Sequence, residues 1–226
     1  LVPTVGTSFA EYQQKFGDAF KSGSTQVQFL TSHTAEQYLR NSDTLTVVRI
    51  MDGEFAPATA SVMTSSAAGD ITSDGRSGVS FKLHTLADGT IMNNSDTTAR
   101  PNNILISGSK HNVRFEVSNV NNNKGTFTLA IRRGDDNIKR KQTLETFNNV
   151  SLDPNSINFI QKVVGDQKQT VRTDGTTKYL QLTGSYPNAS RYVRVSSVTS
   201  PTVDYLDENG SIRLNSLSAS LPANGS

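Results

Sequence analysis

Three histidines, His33, His84 and His111, stand far apart in the chain. None falls in an H-x-x-x-H or H-E-x-x-H spacing, and a metal site needs ligands that converge at fixed geometry. They read as solvated or hydrogen-bonded residues. The chain has no cysteine, which excludes disulfides, zinc–thiolate sites and thiol nucleophiles. Gly17 to Gly23 holds Gly, Lys and Ser, but not in the order of a phosphate loop, and it follows a helix pattern instead of a strand. No G-x-S-x-G elbow and no G-x-G-x-x-G fingerprint occurs. The parts of an acyl-transfer site converge in space and not in sequence, yet no local feature marks one. The expectation is a protein that is not an enzyme, with no catalytic, cofactor-binding or metal-binding residues.

The densest charge lies at Arg132, Arg133, Asp135, Asp136, Lys139, Arg140 and Lys141. One reading is a solvated loop of mixed charge, the other a patch for an acidic partner surface. Nucleic acid is disfavoured as that partner, because no aromatic residues interleave the cations as stacking platforms and the net charge is only +2. Arg133-Gly134-Asp135 spells an adhesion tripeptide, which reads as a strand end followed by a turn. The sequons at Asn93, Asn149 and Asn188, and those in the two Asn-Gly-Ser triplets, read as products of an Asn- and Ser-rich composition.

The elements that would position these residues can be read from pattern. The chain has 226 residues, 34% hydrophobic and 19% charged. Its 10 Phe and 6 Tyr sit in patterned segments, unlike the composition of disordered chains. No apolar run reaches the ~20 residues of a membrane span. In TSFAEYQQKFG (7–17), Ser8 and Glu11 form an S-x-x-E capping box, Phe9, Tyr12 and Phe16 share a face, and Gly17 ends the helix. A second helix is expected to start at Thr34 with Gln37 three residues on. LTVVRIM (45–51) reads as a strand buried on both faces. Residues 52–103 turn Ser-, Thr-, Gly- and Asn-rich, with one strand at 79–86, and read as a surface insertion. NVRFEV and GTFTLAIRR form a hairpin with one buried face. Asp153-Pro154 is placed to cap and open a helix with Ile157, Ile160 and Val164 as its buried stripe. Asp174-Gly175 and Glu208-Asn209-Gly210 mark two further hairpins, with a strand at 191–198 between them. The fold class is α+β. The chain starts at Leu1 with no leader pattern and ends in Ala-Asn-Gly-Ser, so it reads as an internal fragment continuing beyond Ser226.

Two blocks, in order, resemble the contractile bacteriophage tail sheath family. The first is TSFAEYQQKFG followed by a helix and the VVRI strand at 47–50. The second is FTLAIRR…LETFNNVSLDPNSINFIQKVVGD (127–166), where Glu145, Phe147, Asn149, Ser151, Leu152, Asp153, Pro154, Ser156, Asn158, Phe159 and Ile160 sit on the family's pattern. Together they cover under half the chain. Asn41-Ser42-Asp43-Thr44 stands where many sheath sequences have Asn-Gly-Gly. The Asn- and Ser-rich character resembles that of giant phages of the phiKZ type.

The resemblance implies a discontinuous sheath core, 1–51 and 104–167, carrying the 52–103 insertion and a β-rich domain at 168–226. It implies a virion protein made in the host bacterial cytoplasm, stacked as hexameric rings around a tail tube and joined to tube and baseplate through missing parts. Its subunits would be linked by arms that add strands to a neighbour, and contraction would slide them as rigid bodies. No cofactor, nucleic acid or membrane partner is implied. The 132–141 loop becomes a candidate inter-subunit contact, and this fragment, lacking the arms, is expected to be monomeric. The alternatives are the sheath of a bacterial contractile injection device and a carbohydrate-binding or adhesin β-domain.

Overall fold

The computed structural model describes residues 3–22, 24–50, 53, 55–64, 78–90, 92, 112–137 and 139–225. In chain order the elements are β1 (Thr4–Gly6), α1 (Phe9–Phe16), β2 (Phe20–Ser22), β3 (Thr25–Val27), α2 (Leu30–Leu39), β4 (Leu45–Val47), β5 (Thr59–Met63), β6 (Val79–Thr85), β7 (Val113–Asn121), β8 (Thr126–Arg133), β9 (Thr143–Ser151), α3 (Ile160–Val164), β10 (Lys168–Asp174), β11 (Thr177–Thr183), β12 (Val193–Val198) and α4 (Asn215–Ala219). The class is α+β, with far more strand than helix.

The centre is a small sandwich. Two antiparallel three-stranded sheets, ordered β12-β6-β5 and β7-β8-β9, bury their facing residues in one cluster. Alternation produces this: Val79, Phe81 and Leu83 on β6 and Phe127, Leu129 and Ile131 on β8 are all buried, as period-2 side chains on one face must be. The Phe81 and Phe127 rings stack across the gap, centroids 5.7 Å apart.

Both open sides of the sandwich are closed. On one side α3 packs against the edge strands β9 and β12, burying Ile160 and Val164. On the other, the end of the chain crosses from β5 to β7. The Ala223 N–H donates to the Met63 carbonyl, and Gly225 and Val117 exchange two backbone bonds of 2.8 and 2.9 Å. An N-terminal lobe of α1, α2 and the pairs β1-β4 and β2-β3 lies beside this body. β10 and β11 form a separate ribbon, closed by Asp174↔Thr177. Its loop is therefore Gly175-Thr176, one residue later than Asp-Gly predicts. Gly175 at φ 58 takes the first central position, where a two-residue hairpin needs a positive φ.

Several expectations are corrected. α2 begins at Leu30 behind an uncapped Phe29, four residues before the Thr34 start. The run 45–51 is not a doubly buried strand: β4 ends at Val47 and pairs only with β1 among the described residues, and Ile50 is 84% exposed. The 153–158 stretch is a set of turns, with the Asn155 N–H on Asp153 Oδ1, and α3 starts only at Ile160. Ile157 is thereby left 86% exposed, outside the stripe assigned to it. The Glu208-Asn209-Gly210 turn is flanked by a single bridge, Leu206↔Ile212, not by strands. Residues 52–103 are no surface excursion where they are described. β6 is the middle strand of a sheet shared with β12, so insertion, core segment and β-rich end contribute to one core.

Candidate functional site

The charged loop predicted as a contact surface divides in two. β7 and β8 place Arg114 and Arg132 directly opposite each other, and like charges in that relation repel. The loop after β8 resolves this by turning Asp136 inward between them. Arg132 donates through Nε to Asp136 Oδ2 at 2.6 Å and through Nη2 to Oδ1 at 2.8 Å. Arg114 Nη1 donates to Oδ1 at 3.2 Å and to the Asp136 carbonyl at 3.0 Å. The Gln142 N–H adds a bond of 2.9 Å to Oδ2. Glu116 extends the network outward, accepting from Arg132 at 2.9 Å and from Lys141 at 2.5 Å. The Asp136 side chain has no solvent exposure and those of Arg114 and Arg132 have 1%. Burial, then the neighbouring Arg132, pulls the Arg114 pKa down, with Asp136 opposing.

Arg132 and Asp136 are thus internal cross-links, not contact residues. Arg133, Asp135, Lys139, Arg140 and Lys141 remain at the surface. Arg133 and Asp135 engage each other at 2.6 and 3.1 Å, so the adhesion-like tripeptide is closed on itself. Arg114 and Glu116 were missed from sequence. Their signal was their placement two apart on the polar side of NVRFEV, opposite the like-patterned β8.

A second constellation lies between the N-terminal lobe and the end of the sandwich. A crevice of about 720 Å³ opens there, within the ~300–1,000 Å³ typical of ligand pockets. α1 supplies Glu11 and Lys15, the segment after β4 supplies Arg49, and β10, β12 and their approach supply Lys168, Arg191 and Arg194. Ser8 accepts the Glu11 N–H at 3.2 Å, as the capping box predicts. The Glu11 carboxylate then reaches back to the Thr7 N–H at 2.9 Å and forward to Lys15 at 2.7 Å. Burial alone would raise the Glu11 pKa, but Lys15 and Thr7 prevail and it falls below its ordinary value. Arg191 bridges the lobes, donating to Thr7 Oγ1 at 3.2 Å. Arg49 lies over the Phe16 ring at 5.6 Å. His84 sits against Arg194 at 3.3 Å; burial first, then Arg194 and Lys168, lowers its pKa and favours the neutral ring. His111 lies outside the described residues, as do the sequon at Asn93 and residues 65–77 and 93–103 of the expected insertion.

Among the described residues no three potential ligands gather into a metal-binding group, and no helix is long and apolar enough to cross a membrane. The crevice is suited to anionic groups on an apolar backing. The β10-β11 ribbon beside it presents Val171, Leu180 and Leu182 to solvent on one face. No protein-family model matches the chain, and no curated protein matches it either.

Proposed function

We propose that this chain is part of a contractile bacteriophage tail sheath subunit, a structural protein of the virion that works by assembly and sliding and not by catalysis. The observation that supports this most is the role of the sheath-like block 145–160 as the joint of the sandwich. Glu145 accepts from Ser190 Oγ at 2.6 Å and from the Arg191 N–H at 2.9 Å, tying β9 to the approach of β12. Ser151 Oγ takes the Asp153 N–H, its own N–H donates to the Asn158 carbonyl, and Phe159 and Ile160 are buried behind it. A closed body bearing an exposed apolar ribbon fits a subunit that moves as a unit between two packings.

In such an assembly hexameric rings of this protein stack on a tail tube, meet the baseplate below, and drive the tube through the host envelope when they contract. Immunogold labelling with antibodies raised against this chain tests the reading. Label repeating along the whole tail, on extended and contracted particles alike, is the expected result. Label confined to fibres or to the tail tip would overturn it.

A further inference from the structure

We propose that the crevice receives the acidic turn at 203–208 of a second copy of this chain, so that copies meet head to tail. The two surfaces are complementary in charge. Five cations line the crevice against two carboxylates, Glu11 and Asp88, and Glu11 is already shared by Lys15 and Arg191. Exposed Val5, Ile50 and Phe55 give it an apolar wall. The turn carries Asp204, Asp207 and Glu208 beside an exposed Val203. Even with Arg213 bonded through its N–H to the Tyr205 carbonyl, its net charge stays negative. It is also held in shape. The Tyr205 ring is buried and its hydroxyl donates to the Asn122 carbonyl, while Asp207 Oδ1 accepts the Asn209 and Ser211 N–H groups.

The turn cannot reach the crevice of its own chain. β6 and β12 run antiparallel, with Thr85↔Val193 at one end and Phe81↔Val198 at the other. Thr85 and Arg191 belong to the crevice. The chain leaves β12 at Val198 and passes Thr202, whose N–H donates to the Leu152 carbonyl, before entering the turn. A strand of this length spans roughly 17–20 Å, so crevice and turn occupy opposite ends of the sandwich. A patch at one end that complements a patch at the other makes a heterologous contact, which closes into a ring or runs on as a filament. This departs from the expectation of a monomeric fragment and would give the sheath reading a defined interface, but the pairing is tested without it.

Sedimentation velocity on the 226-residue chain reads the contact. The sedimentation coefficient is expected to rise with protein concentration in about 0.1 M salt and to stay at the monomer value in about 1 M, where the Debye length shrinks to ~3 Å. Lys168→Glu/Arg191→Ala in the crevice and Asp204→Lys/Glu208→Lys in the turn should each weaken association at least about tenfold. An equimolar mixture of the two variants should associate again, since each supplies the half that the other lacks. If the double crevice variant melts early, Lys168→Glu alone, at an exposed position of the ribbon, carries the same expectation with a smaller effect. A wild-type chain that stays monomeric at every concentration, variants that associate like wild type, or a mixture that remains monomeric would each overturn the proposal. Recovery on mixing without tail labelling leaves the contact standing and removes the sheath; labelling without recovery does the reverse.

Discussion

Replacing Asp136 with alanine removes one small side chain from a loop, yet it should be among the most damaging single changes in this protein. Asp136 is the shared acceptor for two guanidinium groups that β7 and β8 hold opposite each other. Without it, Arg114 and Arg132 face each other in a site closed to solvent, with Glu116 opposing them from a more exposed position. Removing one partner of a buried ion pair costs about 3–5 kcal/mol, because the charge left behind is neither hydrated nor paired. At about 2–4 °C per kcal/mol for a chain of this size, the midpoint of thermal unfolding should fall by roughly 6–20 °C. Urea unfolding followed by circular dichroism gives the free energy directly, and an unchanged slope would show that the same surface is exposed. Arg133→Ala is the control. It breaks the neighbouring Arg133–Asp135 pair, both partners about one-third exposed, and should cost no more than about 1 kcal/mol. Adding Arg114→Met to Asp136→Ala should recover part of the loss, since one of the two facing like charges goes with it. A loss below about 1 kcal/mol for Asp136→Ala, or strict additivity with Arg114→Met, would refute the cross-link.

Three further outcomes follow from the geometry. Glu11 has a folded-state pKa below its ordinary 4.5, so its ionised form favours the folded state above that value and the contribution fades as pH falls through the lowered one. The stability gap between wild type and Glu11→Gln, from urea melts, should therefore be wide near pH 6 and narrower near pH 3. Ile160→Ala should cost about 2–5 kcal/mol by leaving a cavity, whereas Ile157→Ala should stay within about 0.5 kcal/mol; equal losses would restore the single helical stripe. Gly125→Ala should destabilise by at least about 1–3 kcal/mol, because the backbone there is at φ +65 and a Cβ would lie 2.5 Å from the Tyr205 ring. A neutral result in thermal melts would show that the ring can move away.

The parts of the fold that were legible in sequence are those where one local rule acts alone. Ser8, Glu11 and Gly17 define α1 because capping is satisfied within one turn of chain. Phe127, Leu129 and Ile131 announce a half-buried strand because alternation is a property of the strand itself. The failures come where a distant partner decides. VVRI has the composition of a central strand, but no second strand is offered beyond β1 among the described residues, so the run stays at an edge. Asp153-Pro154 has helix-start chemistry, but Asp153 satisfies the Asn155 N–H in a turn and Phe159 already bridges to Ser151. The helix can form only after that bridge. β6 was visible, while its position between β5 and β12 was not, because pairing across more than a hundred residues leaves no local mark. The same limit hid the division of the charged loop. Alternation assigns Arg114 and Arg132 to the polar face of their hairpin, and nothing in their spacing says that the loop folds back to cover it.

That covering closes a sandwich that has three described strands in each sheet. A sheet this narrow has two edges and an outer face to protect. Here α3 closes one edge pair, Ala223 to Gly225 close the other, and the Asp136 loop seals the outer side of β7 and β8 by charge instead of by apolar contact. The ribbon of β10 and β11 and the two-stranded pairs of the N-terminal lobe lie outside this closure. Under the sheath reading the consequence is a division of labour. The closed body would then move as a unit, and the crevice at one end and the acidic turn at the other would exchange partners outside the core.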